Sequence, residues 1–417
     1  MEPHVILNII IAIAAISYVF DQLLDYVNLK SLRTHIPDDI AKFYDRDRYI
    51  KSLEYHKELT RFSFYSSAFT FFLSMAMLLT GGFGWLDDLL RVYVDHPILL
   101  AILFFAILMV ASDILSLPFQ LHSTFVIEEK YGFNKTTLWT FFTDKLKGYL
   151  LAAVIGVPLL ALLIYLVGVI GPYFWIWFAL IASLFVLFMN MFYTTLILPL
   201  FNKLTPLPDG DLRSAIQEFA GRVNFPLNNI FVIDGSKRSS KANAFFSGIG
   251  RKKKIVLYDT LIKKHTTDEL VAVLAHEVGH FKKKHIVTGF IISIAQIFLT
   301  MFVLSLMVYN ENLSFALGGS QHAIHVNLIA FSILFAPISG ITGLFMSMYS
   351  RKNEYEADAY ARETFSGVAL AEALKKLSVD SLSNLYPHPL YVFFHYSHPP
   401  LLKRLEAINQ QTGALME

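Results

Sequence analysis

Seven apolar runs, near residues 5–20, 62–79, 98–117, 150–170, 173–198, 287–308 and 328–348, have the length and character of membrane-crossing helices. Inside lipid, such runs must satisfy their own backbone hydrogen bonds, which a helix does and an open strand cannot. Composition agrees: of 417 residues 55% are hydrophobic, 37 are Phe and only 16% are charged, against roughly 25% charged in an average soluble domain. The first run has no basic stretch before it and no small-residue cleavage site after it, so it reads as a retained helix rather than a removed signal.

Basic residues are sorted between the loops. Lys30, Arg33, Lys42, Arg46, Arg48, Lys51, Lys57 and Arg61 crowd the first loop, whereas 82–95 holds only Arg91 and 309–327 holds none. By the positive-inside rule the N-terminus lies outside, and the odd-numbered loops and the C-terminal segment face the cytoplasm. A net charge of +2 gives no reason to expect a nucleic-acid partner. With no cysteine in the chain, disulfides, thiolate zinc sites and cysteine nucleophiles are excluded, and any metal must be held by His, Asp or Glu.

The fifth loop contains Leu274-Ala275-His276-Glu277-Val278-Gly279-His280. On a helix, His276 and His280 lie one turn apart on one face and can grip one cation. Glu277 then sits beside the metal, placed to take a proton from water, as the general base of a zinc protease does. The pattern is short, so its context decides. Thr266 followed by Glu269 predicts a capping box, and Leu270, Val273 and Leu274 predict a buried face. Ahead of the helix, 229–233 and 254–258 read as short strands with a third at 243–246, giving a small sheet.

Two histidines leave a catalytic zinc one protein ligand short. His285 falls about 180° from His276 on a continuous helix, so it is read as solvated near the membrane surface. The better source is Arg351-Lys352-Asn353-Glu354-Tyr355-Glu356-Ala357-Asp358, which two further spans return to the same side. Glu354 and Asp358 share a helical face while Glu356 points away. One of the pair can bind the metal and the other can orient a ligating histidine. Asp113 and Asn190 are polar within apolar runs and should face protein or water rather than lipid. His322 and His325 have metal-like spacing, but nothing nearby completes a site, and they are read as ordinary loop residues.

H-E-x-x-H followed two spans later by E-x-x-x-D resembles the M48 family of gluzincin metalloproteases. Three further stretches are similar to its Ste24 type, the CAAX prenyl proteases: Phe125-Val126-Ile127-Glu128-Glu129-Lys130-Tyr131-Gly132-Phe133-Asn134-Lys135, Ser239-Ser240-Lys241-Ala242-Asn243-Ala244-Phe245, and Tyr396-Ser397-His398-Pro399-Pro400-Leu401-Leu402-Lys403-Arg404-Leu405. The resemblance implies one Zn2+ per chain on His276, His280 and Glu354, Glu277 as general base, and Asp358 behind the ligands. It implies that Asn243 lies on an edge strand that pairs with an extended peptide. It also implies that His398 donates to the oxyanion, with Arg404 supporting the same region. Without it, His398 before Pro-Pro reads only as a loop residue at a helix start.

The expected fold is mainly α and polytopic, with seven transmembrane helices that, the resemblance implies, enclose a chamber, and a small α+β gluzincin-like zinc protease domain. We divide the chain into a membrane domain (1–200), a soluble metalloprotease region (201–286), a pair of spans (287–349) and a C-terminal cytoplasmic region (350–417). The expected function is a membrane zinc endopeptidase of the CAAX type, removing C-terminal residues after a prenylated cysteine. Its expected partners are a peptide or protein substrate, prenylated or not, and the lipid bilayer, and it does not require an oligomer. The active site faces the cytoplasm, from a bacterial inner membrane or one of the endoplasmic reticulum type. The alternatives are a quality-control protease of the HtpX type and, from another class, a non-enzymatic transporter or scaffold. No internal repeat of the kind transporters show is visible.

Overall fold

A computed structural model describes residues 1–225, 229–247 and 254–413. Among these residues, five helical segments are long and apolar enough to cross a membrane: Pro3–Lys30, Arg46–Leu79, Pro97–Glu128, Leu138–Phe201 and His285–Met307. A sixth arises if Ile324–Leu334 and the helix that follows, bent by 52°, are taken as one span. Two of the expected runs therefore fall within the single 64-residue stretch Leu138–Phe201. That stretch is interrupted at Gly171, whose φ of +69° ends the first arm, and the two arms pack on each other through Leu162, Leu166, Phe174 and Phe178.

The last expected run also breaks. Ile324–Leu334 ends at Phe335, and a new helix, Ala336–Ala361, starts with Pro337 in its first turn, where a missing N–H costs nothing. This second helix does not stop at the end of its apolar part. It carries straight on through Glu354 and Asp358, so the acidic pair sits on the continuation of a membrane helix rather than at a helix start.

The sheet has the order β1 (Leu204–Pro206), β2 (Ile230–Ile233), β4 (Lys254–Tyr258), β3 (Ala244–Ser247). β2 and β4 are parallel, and β1 and β3 pair antiparallel on either side. Ile255, Val256 and Leu257 are all buried, as expected of a strand covered on both faces. One face meets Leu270, Leu274 and Val278 of the Thr267–Lys282 helix; the other meets Leu198 at the end of a membrane helix. The sheet is thereby clamped to the membrane domain, with β3 at its edge.

The Thr267–Lys282 helix begins with the expected capping box: Thr266 Oγ1 accepts from the Glu269 N–H at 3.3 Å, and Glu269 Oε2 accepts from the Thr266 N–H at 3.1 Å. Its buried face includes Leu270 and Leu274, while Val273 is only partly buried and lines a cavity. It packs along the Ala336–Ala361 helix, whose Asn353, Glu354, Ala357, Asp358 and Ala361 form one buried stripe. Gly279 sets how close they come. A Cβ there would lie 3.1 Å from Ala357 Cα and 3.1 Å from Tyr360 Cβ.

The polar residues within the apolar runs resolve differently. Asp113 pairs with Lys145 at 2.5 Å and accepts from Tyr149 and Gln120, tying two membrane helices together. Among the described residues, Asn190 bonds back to Val186 O of its own helix, at 2.9 Å. The reading of His325 as an ordinary loop residue is corrected: it is 3% exposed, lies in the Ile324–Leu334 helix and contacts Asp87 at 2.7 Å, which also pairs with Arg91. Among the described residues, His322 meets Val308 O, at 2.9 Å.

Gly279→Val should force these two helices apart, with a cost of about 1–3 kcal/mol for overpacking and metal content well below one ion per chain by elemental analysis. Gly343→Ala, where a Cβ meets nothing within 4 Å, should leave metal content and melting temperature unchanged.

Candidate metal centre

Among the described residues, His276, His280 and Glu354 form the one group of His, Cys, Asp or Glu whose potential ligand atoms all lie within 4.8 Å of one another. His276 Nε2 and His280 Nε2 are 3.2 Å apart, His276 Nε2 is 3.5 Å from Glu354 Oε2, and His280 Nε2 is 3.3 Å from Glu354 Oε1. Ligands about 2.0–2.1 Å from a tetrahedral zinc stand about 3.3 Å from each other. The three donors therefore already sit at the edges of such a tetrahedron. Glu354 Oε2 is buried without a hydrogen bond among the described residues. Two imidazoles and a carboxylate suit zinc in charge and softness.

Asp358 lies beside His276. Its Oδ1 lies 2.8 Å from His276 Nδ1, fixing the ring so that Nε2 faces the cluster. Arg404 grips Asp358 with Nε and Nη2 at 2.8 and 2.6 Å, and its Nη1 is 3.4 Å from Glu354 Oε2. The guanidinium thus lies behind His276 and Glu354, and its fork matches the carboxylate. His398 Nε2 is 3.2 Å from Glu354 Oε1 and its side chain is 63% exposed, so it stands at the open side of the cluster.

The reading of His285 as solvated is corrected. It is 7% exposed, its Nδ1 is 3.1 Å from His280 Nδ1, and its Nε2 is 3.1 Å from Glu356 Oε2. The helical-wheel argument assumed one continuous helix, but Lys284 adopts φ +61° between Thr267–Lys282 and His285–Met307, and that break swings His285 back toward His280. Glu356 does point away from the ligand cluster, but it ends on His285 rather than in water. Each histidine of the cluster therefore has its own outer partner. The signal for the second was present in the sequence, but the αL turn that makes it work was not.

Glu277 is partly buried and lines two adjoining cavities. Burial raises its carboxyl above the ordinary carboxylate range, offset in part by His276, His280 and Arg404. One cavity, of about 420 Å³, is walled by Asn243, Tyr396 and His398. The other, of about 380 Å³, reaches Ile286, Gly289 and Met346 of the membrane helices. Asn243 immediately precedes β3, and its carbonyl accepts from the Tyr258 N–H at 3.0 Å.

Two of the stretches that carried the resemblance dock on each other. Asn134 pairs with Ser239. The Lys135 and Ser240 N–H groups donate to Arg238 O and Phe133 O. Lys241 Nζ sits 3.1 Å from Glu128 Oε2 and 4.3 Å above the Phe133 ring. This knot holds the approach to β3. Sequence reasoning named both stretches but not their contact.

The N-terminal part, residues 25–203, matches a family described as CAAX prenyl protease N-terminal, five membrane helices; residues 206–412 match peptidase family M48. A CAAX prenyl protease 1 homolog of Arabidopsis thaliana is 37% identical over 96% of both chains. The chain belongs to peptidase family M48. The chain is also similar to a human CAAX prenyl protease 1 homolog, 32% identical over 90% of this chain and 89% of its own, and to CAAX prenyl protease 1 of Saccharomyces cerevisiae, 34% identical over 98% and 96%. A crystal structure of S. mikatae Ste24p superposes with a TM-score of 0.91 at 32% identity, covering 97% of this chain and 99% of that one. This M48 protein is thus a multi-pass membrane metalloprotease of the Ste24 type, acting on a peptide or protein substrate. Family membership decides against a transporter or scaffold, and the extent of the likeness favours Ste24 over HtpX.

Asp358→Ala and His285→Ala should each weaken metal binding about 10–100-fold in competition with a chelator. His322→Ala should leave it unchanged.

Proposed function

We propose that this chain is a zinc endopeptidase that releases C-terminal residues after a prenylated cysteine, a reading supported by relatives named CAAX prenyl protease 1. The observation that carries the chemistry is the tetrahedral spacing of His276, His280 and Glu354 with Glu277 beside them at the junction of two cavities. These three residues would hold the metal, which when bound supplies a Lewis acid for the scissile carbonyl and makes water more acidic. Glu277 takes the proton of the attacking water and delivers it to the leaving amine, a task suited to a carboxyl whose pKa burial has raised. His398, exposed at the rim, donates to the oxyanion. β3 and Asn243 offer an edge along which an extended substrate pairs. Arg404 acts through Asp358, Glu354 and His276 as a positioning residue.

The same reading gives seven crossings, counting the two arms of Leu138–Phe201 and the bent pair separately from the rest, with the metal centre at the cytoplasmic face. It keeps the divisions at 200/201, 286/287 and 349/350. Only 6–22% of the most apolar window of each candidate span is buried against protein, so most of each helix surface is left to lipid or to an enclosed space. The Asp113–Lys145 pair faces such an interior without meeting lipid.

The test uses purified full-length protein and one peptide with the cysteine farnesylated or bare. Cleavage should fall after the cysteine, with kcat/KM at least about tenfold higher for the farnesylated form. Glu277→Gln should keep one zinc per chain and lose at least about a thousandfold in kcat. Normal cleavage by that variant, or zinc-loaded protein that cuts neither peptide, would contradict the proposal.

A further inference from the structure

His398 stands in the loop 396–400, between the short helix Pro389–His395 and the helix Leu401–Gly413 that carries Arg404. Behind it the chain is stiff by composition. Pro399 restricts His398 to extended backbone and Pro400 restricts Pro399. Pro400 O accepts from the Lys403 and Arg404 N–H groups at 3.0 and 3.2 Å, which seats this end of the loop on the Arg404 helix. Ahead of His398 the sequence supplies no such stiffness, and the restraint comes from Arg351, one turn before Glu354 on the Ala336–Ala361 helix. Its Nη1 donates to Tyr396 O at 2.5 Å and lies 3.2 and 3.4 Å from Val392 O and Phe393 O. The C-terminal end of a helix presents carbonyls and favours a cation.

Ser397 supplies a second restraint, on the ring itself. Its Oγ is 2.9 Å from His398 Nδ1 and makes no other hydrogen bond among the described residues. The opposite ring nitrogen, Nε2, faces Glu354 Oε1 at 3.2 Å. An ionised carboxylate only accepts, and a neutral imidazole has one donor and one acceptor nitrogen. These partners assign the hydrogen to Nε2, so Nδ1 accepts and the Ser397 hydroxyl donates. A donor at Nε2 requires that tautomer. Tyr396 and His398 line the cavity of about 420 Å³, but Arg351 and Ser397 line neither cavity at the metal centre. Both therefore reach a bound substrate only through His398.

Resting on the protease function proposed above, we infer that Arg351 and Ser397 are positioning residues for His398: Arg351 ties its loop to the helix that carries Glu354, and Ser397 selects the tautomer that presents Nε2–H to the oxyanion. A donor of this kind accelerates the reaction only if it already stands where charge develops. His398 is 63% exposed, so surrounding side chains do not lock its ring and these two contacts must. The Pro389–His395 helix is held independently of Arg351. The His388 N–H donates to Asn28 Oδ1 at 3.0 Å, and Phe394 packs edge-on against Phe20 at 4.9 Å, both on the Pro3–Lys30 helix. Loss of Arg351 thus loosens the loop without releasing the helix, and its effect falls on catalysis rather than on stability.

The experiment uses full-length zinc-loaded protein and the farnesylated peptide. Ser397→Ala and Arg351→Ala should each lower kcat roughly fivefold to tenfold with KM within about twofold of the parent, while zinc content and melting temperature hold. Ser397→Thr, which keeps the hydroxyl, should restore most of the rate, and Arg351→Lys, which loses the fork but keeps the charge, should restore part. In a His398→Ala background neither substitution should change kcat more than about twofold, because both act through that ring. Binding of a farnesylated phosphinic peptide, whose anionic oxygen stands where the oxyanion forms, should weaken in each single variant by about the factor lost in kcat. Losses that add fully to that of His398→Ala, losses that track melting temperature or zinc content, or a fully active His398→Ala would overturn the assignment. Failure of the wild-type chain to cleave peptide would instead sink the protease reading, and the phosphinic-peptide comparison, which needs no turnover, would still decide the positioning.

Discussion

Gly279 and Ala357 let two helices of opposite character approach within backbone contact. One is the box-capped helix that carries His276, Glu277 and His280; the other is the continuation of a membrane span and carries Glu354 and Asp358. Everything at the centre depends on that crossing, because three ligands at tetrahedral spacing tolerate errors of only a few tenths of an ångström. Placing the carboxylate on an unbroken helix fixes it to the membrane domain, and clamping the sheet between Leu198 and Leu274 fixes the histidines. The site is therefore built where the rigid parts of both regions meet.

Around the crossing, charge is balanced layer by layer. Asp358 faces His276 on one side and the fork of Arg404 on the other, so a buried carboxylate is paired twice. Removing either partner of such a buried pair typically costs about 3–5 kcal/mol, since the survivor is left unpaired. On the far side the chain from His280 through His285 to Glu356 leads outward to a half-exposed carboxylate. The two histidines thus differ: one is held by a fully buried carboxylate, the other through a second imidazole.

Features governed by local sequence were legible before the structure. The capping box at Thr266 and Glu269, the helical pairing of His276 with His280, and the shared face of Glu354 and Asp358 rest on period and capping alone. What escaped depends on a break or on distant contact. His285 was misplaced because Lys284 takes a left-handed turn that no periodicity announces. The bend at Phe335 and the turn at Gly171 hid in uniformly apolar sequence. The burial of His325 against Asp87, 238 residues away in the chain, and the docking of 125–135 onto 239–245 required the fold itself. The strand β1, three residues long, offers too little alternation to be read.

The central claim is that two imidazoles and one carboxylate close on a single ion at the helix crossing. X-ray absorption at the zinc edge of the purified full-length protein tests it most directly. The account predicts one zinc per chain, four-coordinate, with two imidazole nitrogens and the remaining donors oxygen, at about 2.0–2.1 Å. A six-coordinate, all-oxygen environment, or three imidazoles in the first shell, would contradict it.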